Sequence, residues 1–277
     1  MTTLVSWAGV DTHGPASIYI ASDSRISWGT GPWDLGRKVF ASKNTPNILG
    51  FSGTVAFPTQ ILSRIIDLID CGMLFKEDDE FEIKLEKIRA YVESNYKPLP
   101  KVVCGDFTII YATRVGERMH SSFHVGKIIG TVNKKVTKEL ASIPEVSDII
   151  YRSGTGRGPL NLWHKKWTGV DKDGHPKQIR TSRSVFGAFC DSLASKADKD
   201  TGGAPQLVGL YRVGPALRFG VIYNNQRYLY GAPVTELNDI NQIEWRNELF
   251  ERCCGETLCL LGKAQRQPKL ATIPSPS

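Results

Sequence analysis

Thr3-Leu4-Val5-Ser6-Trp7-Ala8 and, beyond Asp11-Thr12-His13-Gly14-Pro15, Ala16-Ser17-Ile18-Tyr19-Ile20-Ala21-Ser22-Asp23 open the chain. Both runs have the β-branched and aromatic content of strands, and the Gly-Pro break between them predicts a hairpin. A Gly/Pro-rich loop, Gly29 to Gly36, leads into Arg37-Lys38-Val39-Phe40-Ala41. After Asn44-Thr45-Pro46-Asn47, the apolar run Ile48 to Ser52 ends at Gly53. Four short strands are therefore expected first.

The periodicity then changes. From Thr54 to about Cys71, Ile61, Leu62, Ile65, Ile66, Leu68 and Ile69 recur at helical spacing, with Gly72 beyond as a stop. Asp79 to Asn95 predicts a second helix with Phe81, Leu85, Ile88 and Val92 on one face, ended by Lys97-Pro98-Leu99-Pro100. Strands return at Asp106–Ala112, Arg118–Val125 and Ser147–Ser153. Helices follow from about Gly158 through Trp167 and from Ser182 to Lys199, separated by a polar loop from Gly169 to Arg180. Strands at 206–213, 217–223 and 226–230 close the pattern.

Runs of strands alternate with runs of helices, so the order points to an α+β fold of stacked antiparallel sheets with helices outside. Residues 1–231 are expected to form this domain. Residues 232–265 are expected to be a helical extension, with a helix from Asn238 to about Cys259, and 266–277 a disordered tail.

Composition narrows the function. The chain has 277 residues, 41% hydrophobic and 23% charged, enough to bury a large core. No apolar stretch reaches the roughly 20 residues of a membrane span, and the first residues lack the pattern of a secretory signal, so a cytoplasmic protein is expected. The formal charge of +7 raises the question of nucleic acid. The basic residues are dispersed, however, for example Lys134, Lys135, Lys165, Lys166, Arg180 and Arg183, without interleaved aromatics. Nucleic acid is not the expected partner. The six cysteines lack paired metal-ligand spacing and read as reduced thiols. His120 and His124 have no evident third ligand, and Gly154-Thr155-Gly156-Arg157-Gly158 lacks the context of a dinucleotide fingerprint.

Chemistry enters at the start of the chain. Removal of Met1 would make Thr2 the terminus, with a hydroxyl and a free α-amine on one residue. A Thr hydroxyl is a weak nucleophile, and an α-amine with an unperturbed pKa of about 7.7–8.0 can accept its proton.

Thr2-Thr3-Leu4-Val5-Ser6, Ala21-Ser22-Asp23-Ser24-Arg25, Lys38-Val39-Phe40 and Leu49-Gly50-Phe51-Ser52-Gly53-Thr54 stand in the order and approximate spacing of a proteasome β-subunit. Ser153-Gly154-Thr155-Gly156 resembles that family's Gly-Ser-Gly turn, and Asp198 to Gly203 its Asp-x-x-Ser-Gly-Gly signature. The chain is similar over residues 2–225 to that family and to the bacterial proteasome-like peptidase that pairs with a ring unfoldase, both N-terminal-nucleophile hydrolases. The resemblance implies a four-layer α/β/β/α sandwich and a threonine endopeptidase. Thr2 would be the nucleophile, Lys38 a cation beside its hydroxyl, and Asp23 the partner of Lys38. Asp198, Thr155 and Thr201 would surround the Thr2 amine, and the Gly50 N–H would face the oxyanion. Arg25 matches a structural arginine. No metal or organic cofactor is implied; the implied partners are a polypeptide substrate, a homo-oligomeric ring and an ATP-dependent unfoldase. Thr155 and Thr201 replace serines of the family pattern, residues 10–16, 29–36 and 157–183 depart from it, and the segment after Gly231 is extra. A noncatalytic assembly subunit of the same fold, a basic nucleic-acid-associated protein and an amidase acting on small amides remain alternatives.

Overall fold

A computed structural model of the chain describes residues 2–28, 30–76, 78–169, 180–236 and 238–266. The strands are β1 (Leu4–Asp11), β2 (Gly14–Ser22), β3 (Ile26–Trp28), β4 (Gly31–Trp33), β5 (Val39–Ala41), β6 (Asn47–Gly53), β7 (Phe107–Val115) and β8 (Ser122–Gly130). They continue with β9 (Val136–Ala141), β10 (Asp148–Ser153), β11 (Gln206–Tyr211), β12 (Leu217–Tyr223), β13 (Gln226–Leu229), β14 (Ala232–Pro233), β15 (Glu244–Asn247) and β16 (Arg252–Cys253). The α-helices are α1 (Ala56–Asp70), α2 (Phe81–Tyr96), α3 (Arg157–Thr168) and α4 (Ser182–Ala194). The fold is α+β.

One sheet runs β10-β1-β2-β11-β12-β13-β14, with β15 and β16 attached through β12; a second runs β5-β6-β7-β8-β9. Neighbours are antiparallel except β12 and β15. The period-2 alternation of β1 divides its side chains between two cores. Leu4 and Ala8 join Ile18, Ile20, Val39, Ile48 and Ile110, a cluster drawn from both sheets. Val5 and Trp7 join Tyr19, Leu160, Val185, Phe186 and Phe189, a cluster shared with α3 and α4. In β6, Ile48 enters the first cluster, whereas Leu49 and Phe51 pack with Ile61, Ile65, Leu85 and Ile88 of α1 and α2. Each fully buried aliphatic or aromatic side chain contributes about 1.5–3 kcal/mol to this packing. Among the described residues no helix is long and apolar enough to cross a membrane.

Besides the strand expected at Arg118–Val125, which begins only at Ser122 after a 3-10 turn at Arg118–His120, the structure departs from the sequence reading in four places. The helix expected from Asn238 to about Cys259 is absent from the described residues; the segment instead carries β15 and β16. Asp239, Phe250 and Leu258 take left-handed φ values of 54°, 61° and 62°, each of which interrupts a helix. Trp245 is buried over Gly220, where a Cβ would lie 2.3 Å from its ring, and β15 pairs with β12 over Phe219 to Ile222. The segment is thus part of the long sheet rather than a helical appendage. Second, the loop expected at residues 29–36 contributes β4, paired to β3 through Ile26↔Trp33 and Trp28↔Gly31. Third, β9 was not foreseen. Fourth, α4 stops at Ala194, and Lys196 has φ 51°. Of the expected polar loop, 170–179 lie outside the described residues, as do 267–277 of the expected tail.

Candidate active site

Thr2 enters β1 at one end of the long sheet, beside the ends of β2 and β10: Leu4 pairs with Ser22 and with Ser153. The turn after β10 closes on it. Gly154 has φ +90°, and a Cβ there would lie 2.0 Å from the Thr2 carbonyl oxygen, so this approach requires glycine. Gly156 N–H donates to that carbonyl at 3.2 Å. Thr155 Oγ1 accepts from the Thr2 nitrogen at 3.4 Å.

Lys38 lies immediately before β5 and reaches from the second sheet to the first. Its Nζ donates to Thr2 Oγ1 at 2.9 Å, to Asp23 Oδ1 at 3.0 Å and to the Arg25 carbonyl at 2.5 Å. Thr2, Asp23 and Lys38 are each 0% exposed. Burial lowers the Lys38 pKa below its ordinary value, opposed by the charge and hydrogen bond of Asp23. Asp23 also accepts from Thr3 N at 2.9 Å, Arg25 N at 3.2 Å and Gly202 N at 3.1 Å. A buried carboxylate with this many donors is held in one orientation.

The loop after α4 brings the remaining polar residues. Thr201 N and Oγ1 both donate to the Asp198 carbonyl at 3.3 Å, and Asp198 Oδ1 accepts from Asp200 N at 3.0 Å. Asp198 Oδ2 is buried without a hydrogen-bond partner. Gly156 lies between this loop and β1: a Cβ there would fall 1.8 Å from Thr3 Oγ1 and 2.9 Å from the Thr201 methyl. Arg25 ties the loop down, pairing with Asp34 at 2.8 and 2.9 Å and donating to the Lys199 carbonyl at 3.2 Å.

Five of the seven residues expected from the resemblance therefore line one continuous network or its edge: Thr2, Asp23 and Lys38 by direct contact, Thr155 at the Thr2 nitrogen, and Thr201 against Gly156. Asp198 supports Thr201. Gly50 does not belong with them. Phe51 N donates to Lys38 O across β5 and Thr54 N to Asp106 O on the β7 side. N–H groups alternate along a strand, so Gly50 N–H points toward β7, where Gly50 opposes Ile110. The same alternation turns Gly53 N–H to the Lys38 side. Gly53 also holds φ +101°, with a Cβ excluded by Asp106 O at 2.3 Å. The Gly50 N–H is thus directed into the sheet rather than toward Lys38, and the Gly53 N–H to the opposite side.

Sequence reasoning missed two further supports. Gln206 is fully buried and clamps the site: its Nε2 donates to Asp23 O at 3.0 Å and Gly36 O at 2.7 Å, and its Oε1 accepts from Lys38 N at 2.9 Å. A Gln in an otherwise apolar strand was the available signal. Ser52 Oγ donates to Ser153 Oγ at 2.7 Å, joining β6 to the turn beside Thr2. Among the described residues, no group of three or more His, Cys, Asp or Glu could hold a metal ion. No protein-family model matches the chain, and no curated protein matches it significantly.

Proposed function

We propose that the chain is a threonine-type peptidase of the N-terminal-nucleophile class, resembling proteasome β-subunits, that becomes active when Met1 is removed. One observation carries the reading: a buried Thr2 hydroxyl accepts a hydrogen bond from a buried lysine that is itself paired to a buried carboxylate. Because Lys38 donates to Oγ1, the hydroxyl's own hydrogen is directed elsewhere. While Met1 is attached, the Thr2 nitrogen is an amide and has no basic lone pair. Once it is a free amine it accepts the hydroxyl proton, and Oγ1 attacks the peptide carbonyl to give a tetrahedral oxyanion. Collapse expels the leaving amine and leaves an ester on Thr2, which water activated by the same amine hydrolyses. Lys38, as a cation, lowers the cost of alkoxide character on Oγ1, and Gly53 N–H is the donor turned toward the oxyanion.

A four-layer α/β/β/α sandwich is part of this reading, supported by three clusters that divide the alternate side chains of β1 and β6 among the helices and the opposing sheet. A homo-oligomeric ring, an ATP-dependent unfoldase, a polypeptide substrate and a cytoplasmic site of action follow from the resemblance. A second reading, a noncatalytic scaffold of the same fold, is favoured by the complete burial of Thr2 in the chain that retains Met1.

Intact mass before and after exposure to a peptide epoxyketone separates the two. Loss of Met1 with one adduct on Thr2 is the expected result. A chain that keeps Met1 and takes no adduct is the scaffold.

A further inference from the structure

We propose that Cys254 and Cys259 form a reactive dithiol that a hydroperoxide closes into an intrachain disulfide. The proposal is independent of the peptidase reading, because these residues lie in the segment that the resemblance leaves out.

The geometry is that of a tight hairpin. Leu261 N donates to Arg252 O at 3.0 Å, Cys253 bridges Leu260, and Cys254 N donates to Cys259 O at 2.9 Å. Cys254 and Cys259 are therefore directly opposed, with side chains on one face of the ladder. Opposed residues in a hydrogen-bonded antiparallel pair have Cα atoms about 5.5 Å apart, inside the roughly 4.4–6.8 Å range that a disulfide spans. Four residues, Gly255 to Leu258, close the loop; Leu258 N donates to Cys254 O at 2.9 Å, and the left-handed φ of Leu258 completes the turn.

Both sulfurs converge on Thr257. Cys259 Sγ donates to the Thr257 carbonyl at 3.5 Å. Cys254 Sγ accepts from Asn241 Nδ2 at 3.7 Å, and the nearby Thr257 hydroxyl and the N–H groups of Thr257 and Glu256 hold its thiol below the ordinary range. These donors favour the thiolate, the reactive form. The turn is also held from outside, because Gly255 N donates to Asn241 Oδ1 at 2.7 Å and Arg227 donates to the carbonyls of Gly255 and Glu256. Little reorganisation is needed before closure. Cys259 is exposed and Cys254 partly so. Neighbouring Cys253 is buried, which pushes its thiol up to about 11.

The chemistry balances in two steps. Cys254 thiolate attacks a peroxide oxygen, forming S–O and breaking O–O; the departing oxygen takes a proton and leaves as water or alcohol. Cys259 sulfur then attacks the sulfenic sulfur, forming S–S and breaking S–O, and its proton leaves with the hydroxide as water. Two thiols are oxidised and one peroxide is reduced.

The test uses the full chain treated with hydrogen peroxide, then alkylated and digested with trypsin. The peptide between Arg252 and Lys263 is expected to lose two hydrogens, with Cys253 and the exposed Cys71 both alkylated and so not oxidised. In C259S the reaction should stop at a sulfenic acid on Cys254 that a 1,3-dione traps, and in C254S the two-hydrogen loss should vanish. Circular dichroism of both variants checks that the fold is retained. A disulfide through Cys253, a disulfide between chains, peroxide reactivity unchanged in C254S, or a zinc ion retained by the dithiol in place of closure would each overturn the proposal.

Discussion

Asp23, beside Thr2 and Lys38, and Asp198, in the loop after α4, are built in opposite ways. Asp23 has both oxygens engaged, by Lys38 and three backbone N–H groups, and does not depend on the state of the terminus. Asp198 has one oxygen on Asp200 N and the other buried without a partner, in a loop that is tied to Asp23 and Arg25 through Gly202 and Lys199 rather than through the Asp198 side chain. The Asp198 side chain is therefore less completely bonded than that of Asp23. On the proposed peptidase reading, the difference fits a nucleophile positioned before Met1 leaves and an amine received only afterwards.

Thr2→Ala breaks the comparison at its centre: it should abolish the epoxyketone adduct and all peptide turnover while leaving the denaturant midpoint near that of the parent. Residual turnover would move the nucleophile elsewhere. Lys38→Met is next. It leaves Asp23 buried without its cation, which should cost about 3–5 kcal/mol of stability. Turnover by the folded fraction should fall by about 10²–10⁴. An unchanged unfolding midpoint would show that the pair is not buried as described.

The glycines sharpen the comparison. Gly53→Ala should reduce turnover by about 10²–10³, because the clash with Asp106 O and the strain at its positive φ displace the N–H proposed as oxyanion donor. Gly50→Ala places a methyl 2.7 Å from Ile20 Cγ2 and should cost about 1–3 kcal/mol of stability while the folded fraction keeps its turnover. The reverse pattern would restore Gly50 to the site.

Lys38 also gives a pH dependence. Its pKa in the folded chain lies below 10.5, so between that value and 10.5 the unfolded chain holds the extra proton. Stability contributed by this group therefore rises with pH across that window. Asp23 raises the Lys38 pKa in the folded chain, so Asp23→Asn should move the lower edge of the window to lower pH while the upper edge stays at 10.5. A denaturation series against pH checks the direction, and a window unmoved by Asp23→Asn would mean that the two groups are not coupled.

The long helices and the buried strands were legible because their apolar residues recur at the period that burial imposes; Ile61, Leu62, Ile65 and Ile66 left little choice. Three failures have physical causes. In β9 only Val136 is buried, so its polar residues carry no strand pattern. In β4, Gly31 and Pro32 read as loop although Trp28 and Trp33 meet across the hairpin at 6.3 Å. The segment around Trp245 takes its conformation from Gly220, a contact that sequence spacing does not encode. Within the site, residue types survive as short motifs, but the direction of each N–H along β6 depends on strand register, which the motif around Gly50 does not encode.

The smallest expected effect tests Asp198. Asp198→Asn keeps the size of the side chain and removes its charge, so in the chain that retains Met1 the stability should change by no more than about 0.5 kcal/mol. After Met1 removal the carboxylate becomes available to a protonated amine. Its loss should then slow turnover on the order of tenfold, the equivalent of ~1.4 kcal/mol of electrostatic stabilisation, and lower the pH at which the amine loses its proton. The sign follows because a nearby negative charge favours the ammonium, and without it the neutral base appears earlier in a titration. A pH–rate profile of the processed variant reads this directly. An unshifted acid limb would mean that Asp198 only holds Thr201 through its backbone carbonyl, and that the site is complete before processing.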